Sequence, residues 1–113
     1  MENTFDREYI DMDEALSRIG GNVALYKKLL GRFVEGSPFE DLKRVIENGD
    51  RDESLRQAHS LKGVSANLSL SKIRAGTIQL EELLKEGSDV SACLDDLERA
   101  FSSTMAEIMR ILE

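Results

Sequence analysis

The chain has 113 residues and a formal net charge of −7, with 41% hydrophobic and 5% aromatic residues, one proline and no tryptophan. That length holds one domain with its own core and not two ordinary ones. The acidic balance opposes non-specific binding to nucleic-acid phosphates or anionic lipid, so neither nucleic acid nor direct membrane contact is expected, and scarce aromatics point to an all-α core of Leu, Ile, Val and Ala.

Turn and cap residues punctuate the chain. Residues 1–9 carry no periodic pattern and read as a loose N-terminal segment of a single domain, 1–113. Gly20-Gly21-Asn22 separates a short helix, about 11 to 19, from a second of about 22 to 35, in which Val23, Tyr26, Leu29, Leu30 and Phe33 recur at helical spacing. Ser37-Pro38-Phe39-Glu40 then places serine at an N-cap, proline at the first helical position and glutamate three residues after the cap. The third helix carries Leu42, Val45 and Ile46 and stops at Asn48-Gly49. Asp50-Arg51-Asp52-Glu53 reads as a variant capping box opening a fourth helix that reaches about residue 69. Ser71 can cap a fifth, through about 86, with Ile73, Ile78, Leu80, Leu83 and Leu84 available for burial. Gly87-Ser88 ends it, and a last helix, about 90 to 112, uses Leu94, Leu97, Phe101, Ile108 and Leu112. Short connections make successive helices antiparallel neighbours. The expectation is an antiparallel up-down four-helix bundle with two additional N-terminal helices.

Cys93 is the single cysteine, which excludes an internal disulfide and fits a reducing compartment; it reads as a small, partly buried residue. The start, Met1-Glu2-Asn3-Thr4-Phe5-Asp6, lacks the basic and apolar stretches of a signal peptide, and no run approaches membrane-spanning length, so a cytoplasmic location is expected. One histidine and one cysteine cannot supply the paired Glu-x-x-His segments of a di-iron bundle, and no glycine-rich nucleotide motif occurs. No metal and no cofactor is expected.

That single histidine, His59, lies in Ala58-His59-Ser60-Leu61-Lys62-Gly63. At roughly 100° per residue, Ala58, Leu61, Ser65 and Leu68 fall within an arc of about 80°, a narrow core-facing stripe, and His59 lies about 140° from its middle. It should face solvent. Within about 60° of it on the same wheel lie Leu55, Lys62, Gly63 and Ala66. A glycine inside a helix costs about 1 kcal/mol relative to alanine, so Gly63 has two readings: close packing by a neighbouring helix, or clearance for a partner's backbone. Its outward placement favours clearance. A neutral imidazole has one nitrogen with a free lone pair, and the ammonium of Lys62 could neutralise phosphoryl oxygens. If the turn after this helix is centred near Leu70, Glu81 falls opposite His59. Its carboxylate could accept from Nδ1–H and leave Nε2 as the nucleophile, or it could simply be a solvated charge beside Glu82.

His59-Ser60-Leu61-Lys62-Gly63, continuing through Val64-Ser65-Ala66-Asn67-Leu68, resembles the signature of the histidine-containing phosphotransfer (HPt) domain. Residues 10–22 and Leu25-Tyr26-Lys27-Lys28-Leu29-Leu30-Gly31-Arg32-Phe33 are similar to that family's N-terminal helices, so the resemblance covers about residues 9 to 112. It implies that His59 takes a phosphoryl group from a receiver-domain aspartate and passes it to another, with Lys62 steadying the group and Gly63 giving the receiver room. Leu55 and Ala66 would belong to the docking surface. It also implies an intermediate without ATP site or autokinase activity, working with response-regulator receivers and, in some systems, a hybrid sensor kinase. A chain that builds its own four helices needs no partner for its core, so a monomer is expected. Many members carry glycine where Ser69 stands, and some carry glutamine at the position matching Glu81, whose charge would disfavour a nearby phosphate. Two other functions compete: a non-catalytic interaction module that binds response regulators, and the phosphotransfer segment of a chemotaxis-type histidine kinase.

Overall fold

The computed structural model describes residues 9–113, so all of the expected loose segment except Tyr9 lies outside the described residues. Six α-helices follow in order: α1 Met12–Arg18, α2 Val23–Glu35, α3 Pro38–Glu47, α4 Arg51–Asn67, α5 Ser71–Glu86 and α6 Ser91–Leu112. No strand occurs among the described residues. The longest contact runs between α4 and α5, with α5 packed on α6 and α3 on α4; α6 also touches α2 and α3, and α1 rests on α2. Leu30, Leu70, Ile73, Leu80, Leu97 and Ile108 have no exposed surface at the centre of this all-helical bundle.

Local chemistry sets most helix starts. Asp11, Asn22 and Asp50 each accept a hydrogen bond from the backbone N–H three residues on, at 3.1, 3.0 and 3.1 Å, which satisfies a donor left over at the helix N-terminus. Asp50 is therefore the cap expected of it. Its box is not reciprocal, because Glu53 turns to Arg56 and Gln57 while the Asp50 N–H goes to the Val45 carbonyl at 3.1 Å.

Two expected serine caps are not made. Ser37 occupies the N-cap position of α3 with no side-chain cap bond and a left-handed φ of 47°. Its successor Pro38 disfavours the right-handed helical region at Ser37, and the left-handed backbone there departs from the extended geometry an N-cap side chain uses to reach the helix start. Proline at the first position, which has no N–H to satisfy, carries that start instead. Ser71 is the first residue of α5 rather than its cap, and Leu70 precedes it, fully buried. The N–H of Ser71 is satisfied by the carbonyl of Tyr9 at 2.9 Å, and the carbonyl of Ser69 accepts from Asp11 N–H at 3.0 Å. The chain ahead of α1 thus does for the α4–α5 turn what a side chain does elsewhere.

The core face of α5 also differs from its apolar pattern. Ile78 is exposed, and Thr77, four residues after Ile73, is buried with its hydroxyl donating to the Ile73 carbonyl at 2.6 Å. The neighbouring Gly76 explains the close approach of α6: a Cβ there would stand 2.9 Å from Leu97 Cδ1. Val23 of α2 is likewise exposed, whereas Tyr26, Leu30 and Phe33 are buried. Near the other end of the core, Phe101 of α6 stacks on Phe33 with centroids 5.9 Å apart and meets Phe39 at 5.2 Å, joining α2, α3 and α6. Cys93 is buried, and burial, reinforced by Asp96, pushes its thiol upward, so it is an inert packing residue. No helix among the described residues is long and apolar enough to cross a membrane, and no group of three or more His, Cys, Asp and Glu there is placed to hold a metal.

Candidate functional site

Helix α4 is pinned at both ends before any functional group is considered. At its start Asp50 caps it, Asp52 and Glu53 complement the positive end of the helix dipole, and the Arg51 guanidinium donates to the Lys85 carbonyl of α5 at 2.7 Å. At its end the buried Tyr26 hydroxyl donates to the Leu68 carbonyl at 2.7 Å; burial raises that phenol to a pKa of about 12, so it remains a donor at neutral pH. Ser69 follows in the left-handed region, φ 57°, where glycine would be unstrained. Its hydroxyl donates to Glu14 at 2.7 Å and accepts from Arg18 at 2.7 Å, and Arg18 also reaches the Asn67 carbonyl at 3.2 Å. A serine tolerates this backbone because α1 holds it by its side chain.

Between these anchors the helix turns one stripe inward and another outward. Ser54, Ala58, Leu61 and Ser65 are buried, and Leu68 beyond them also. His59 lies on the opposite side with 73% of its side-chain surface exposed. Lys62 and Ala66 are half-buried, Leu55 is half-buried one turn before the histidine, and Gly63 is exposed. No heavy atom lies within 4 Å of where a Gly63 Cβ would stand. Helix packing is therefore not what calls for glycine at 63; in this fold that need arises at Gly76, which the sequence pattern did not single out.

The antiparallel α4–α5 hairpin brings Glu81 to the position expected from its register. Its carboxylate is 7% exposed, with Oε2 3.3 Å from His59 Nδ1 and Oε1 2.7 Å from Lys62 Nζ. It is not the solvated charge of the alternative reading. The Lys62 hydrogen bond, aided by that of His59 and by the charges of Lys62 and Lys85, holds its carboxyl below the usual range against the opposing effect of burial. An ionised carboxylate only accepts, so the ring nitrogen facing it carries the proton, and in the neutral ring Nε2 is the nitrogen with the lone pair. Lys62, expected from sequence to neutralise phosphoryl oxygens, is engaged with Glu81 in this structure; an ammonium has three donors, and this contact uses one. Glu82 is exposed.

One neighbour escaped the sequence reading. Lys85 Nζ lies 4.0 Å from Glu81 Oε2. The spacing of four residues between glutamate and lysine on one helix is the signal that could have shown it. On the other flank of α4, Ser60 and the exposed Val64 line an open cleft with Leu29, Phe33 and Pro38 of α2 and α3, away from the α5 side where Glu81 sits.

What this arrangement offers is an accessible imidazole on a helix held at both ends, its Nδ1 facing a nearly buried carboxylate, with an exposed glycine one turn further along the same helix. The Hpt domain family model matches residues 28–112, which include α3 to α6 and most of α2 and leave α1 outside the match. No curated protein and no solved structure matches the chain. The family match and the His59 face agree, and the chain belongs to the Hpt domain family, the histidine phosphotransfer modules of two-component signalling.

Proposed function

We propose that the protein is a phosphorelay intermediate in which His59 accepts a phosphoryl group from the aspartyl phosphate of one receiver domain and delivers it to the aspartate of another. The observation that carries this reading is a 73% exposed imidazole whose Nδ1 faces a nearly buried carboxylate. The Nε2 lone pair attacks phosphorus, an N–P bond forms, and the P–O bond to the donor aspartate breaks with its electron pair leaving on the carboxylate. The Nδ1 proton stays where Glu81 accepts it, so the phosphorylated ring is cationic and remains a good leaving group. In the second step an acceptor carboxylate oxygen attacks phosphorus, the N–P bond breaks, and its electrons return to Nε2. Neither step needs a nucleotide, in keeping with a family of phosphotransfer modules without kinase activity.

In this reading Lys62 neutralises the phosphoryl oxygens, Gly63 admits the receiver's backbone, and Leu55 and Ala66 supply apolar docking contacts. The α3–α6 helices form the four-helix up-down unit that carries the site, with α1 and α2 bracing it, and residues 1–113 act as one monomeric domain in the cytoplasm. A free-standing response regulator or the receiver of a hybrid sensor kinase would serve as donor. The test uses two receivers, one carrying labelled aspartyl phosphate and one unlabelled. Label should reach the second only when the protein is present; direct exchange at the same rate without it would overturn the proposal.

Gly63 separates docking from stability. Because a Cβ there meets nothing, Gly63→Ala should raise stability by about 1 kcal/mol through helix propensity and yet slow phosphoryl transfer by crowding the receiver. Urea midpoints and transfer rates measured on the same samples should move in opposite directions. An unchanged rate would remove Gly63 from the docking surface.

A further inference from the structure

Two anions would compete for one lysine once His59 is phosphorylated. Lys62 Nζ is 2.7 Å from Glu81 Oε1, and on the reading above it also serves a group carrying roughly two negative charges beside His59. Glu81 is 7% exposed, so it cannot lose that partner to water as a surface carboxylate could. The other face of the same carboxylate already has a second cation in reach, Lys85 Nζ at 4.0 Å from Oε2. The Lys85 side chain is 58% exposed, free to swing, while its backbone is tied to the site helix by the bond from Arg51 to its carbonyl at 2.7 Å.

We propose that Lys85 is a positioning residue for the phosphotransfer reaction: it closes onto Glu81 Oε2 when the phosphoryl group draws Lys62 away, keeping the buried carboxylate ionised and His59 Nδ1 in place. The inference rests on the phosphotransfer reading. It gives the carboxylate a compensating charge in both states of the histidine: Lys62 in the free protein, Lys85 in the phosphorylated one. Each carboxylate oxygen has two acceptor sites, so Oε2 can hold Lys85 without releasing the imidazole. Of the charged groups that face Glu81, His59 and Lys62 come from α4 and Lys85 from its own helix.

The partition of a labelled phosphoryl group between a receiver domain and the full protein tests this. Lys85→Gln should shift the partition toward the receiver by about two- to fivefold, the range open to a partly exposed ion pair, and Lys85→Arg should restore it. In a Glu81→Gln background, Lys85→Gln should have no further effect, because the carboxylate through which it acts is gone. Receiver label that reaches the wild type and partitions unchanged in Lys85→Gln overturns the inference alone. So does an equal shift in the Glu81→Gln background, which would show Lys85 acting directly on the phosphoryl group or the receiver. Label that never reaches the wild type overturns the phosphotransfer reading and this inference with it.

Discussion

His59→Gln is expected to abolish phosphoryl acceptance while leaving the unfolding transition within about 0.5 kcal/mol of wild type. The two halves of that expectation have different causes. Acceptance requires a nitrogen lone pair, and an amide nitrogen has none to offer because it is delocalised into the carbonyl. Stability is spared because the imidazole is 73% exposed, and its contact with Glu81, at 3.3 Å, is the longer of that carboxylate's two hydrogen bonds. A glutamine NH₂ can also replace the donor. Incubation with a labelled receiver, together with a urea melt of the same preparation, checks both. Label on the variant equal to that on wild type would mean that another residue accepts the phosphate.

Phe101→Ala has the largest expected effect on the fold. The ring is 4% exposed and sits between Phe33 and Phe39, with centroids at 5.9 and 5.2 Å. Truncation removes the ring that joins α2, α3 and α6 and leaves a cavity that those helices cannot fully close. Losses of about 3–5 kcal/mol follow for a buried phenylalanine, and chemical denaturation should show the midpoint fall with little change in slope. A loss below about 1 kcal/mol would mean that the three helices repack without it. Phosphoryl acceptance in conditions where the variant stays folded should persist, since the two rings it packs against, Phe33 and Phe39, belong to α2 and α3 and not to the helix that carries His59.

The contrast between these two sites shows what can be read along the chain. The six helices, with ends within about two residues of those expected, follow from capping and turn residues that act locally, and Asp50 is one case. The outward direction of His59 and the inward stripe of Ala58, Leu61 and Ser65 follow from helical geometry alone. Glu81 could be named because a short antiparallel hairpin fixes register. Its burial could not, because that depends on what else covers α5. The misses share that origin: Ser71 is relieved of its capping role by the carbonyl of Tyr9, more than sixty residues away in sequence; Ile78 yields its core place to Thr77, whose hydroxyl is satisfied within its own helix; Gly76 is required by Leu97 of the next helix. Lys62 was seen as a cation near the histidine, but its bond to Glu81 changes its task from a waiting charge to a shared one.

The central claim is that His59 reacts at Nε2 while Glu81 keeps the proton on Nδ1, and nitrogen NMR of the ring tests it most directly. With the histidine ¹⁵N-labelled and the protein phosphorylated by a receiver domain, phosphorus–nitrogen coupling should appear on Nε2, with Nδ1 still protonated. In Glu81→Gln the Nδ1–H signal should shift while the coupling stays on Nε2. Coupling on Nδ1, or phosphate bound to any residue other than His59, would contradict the account.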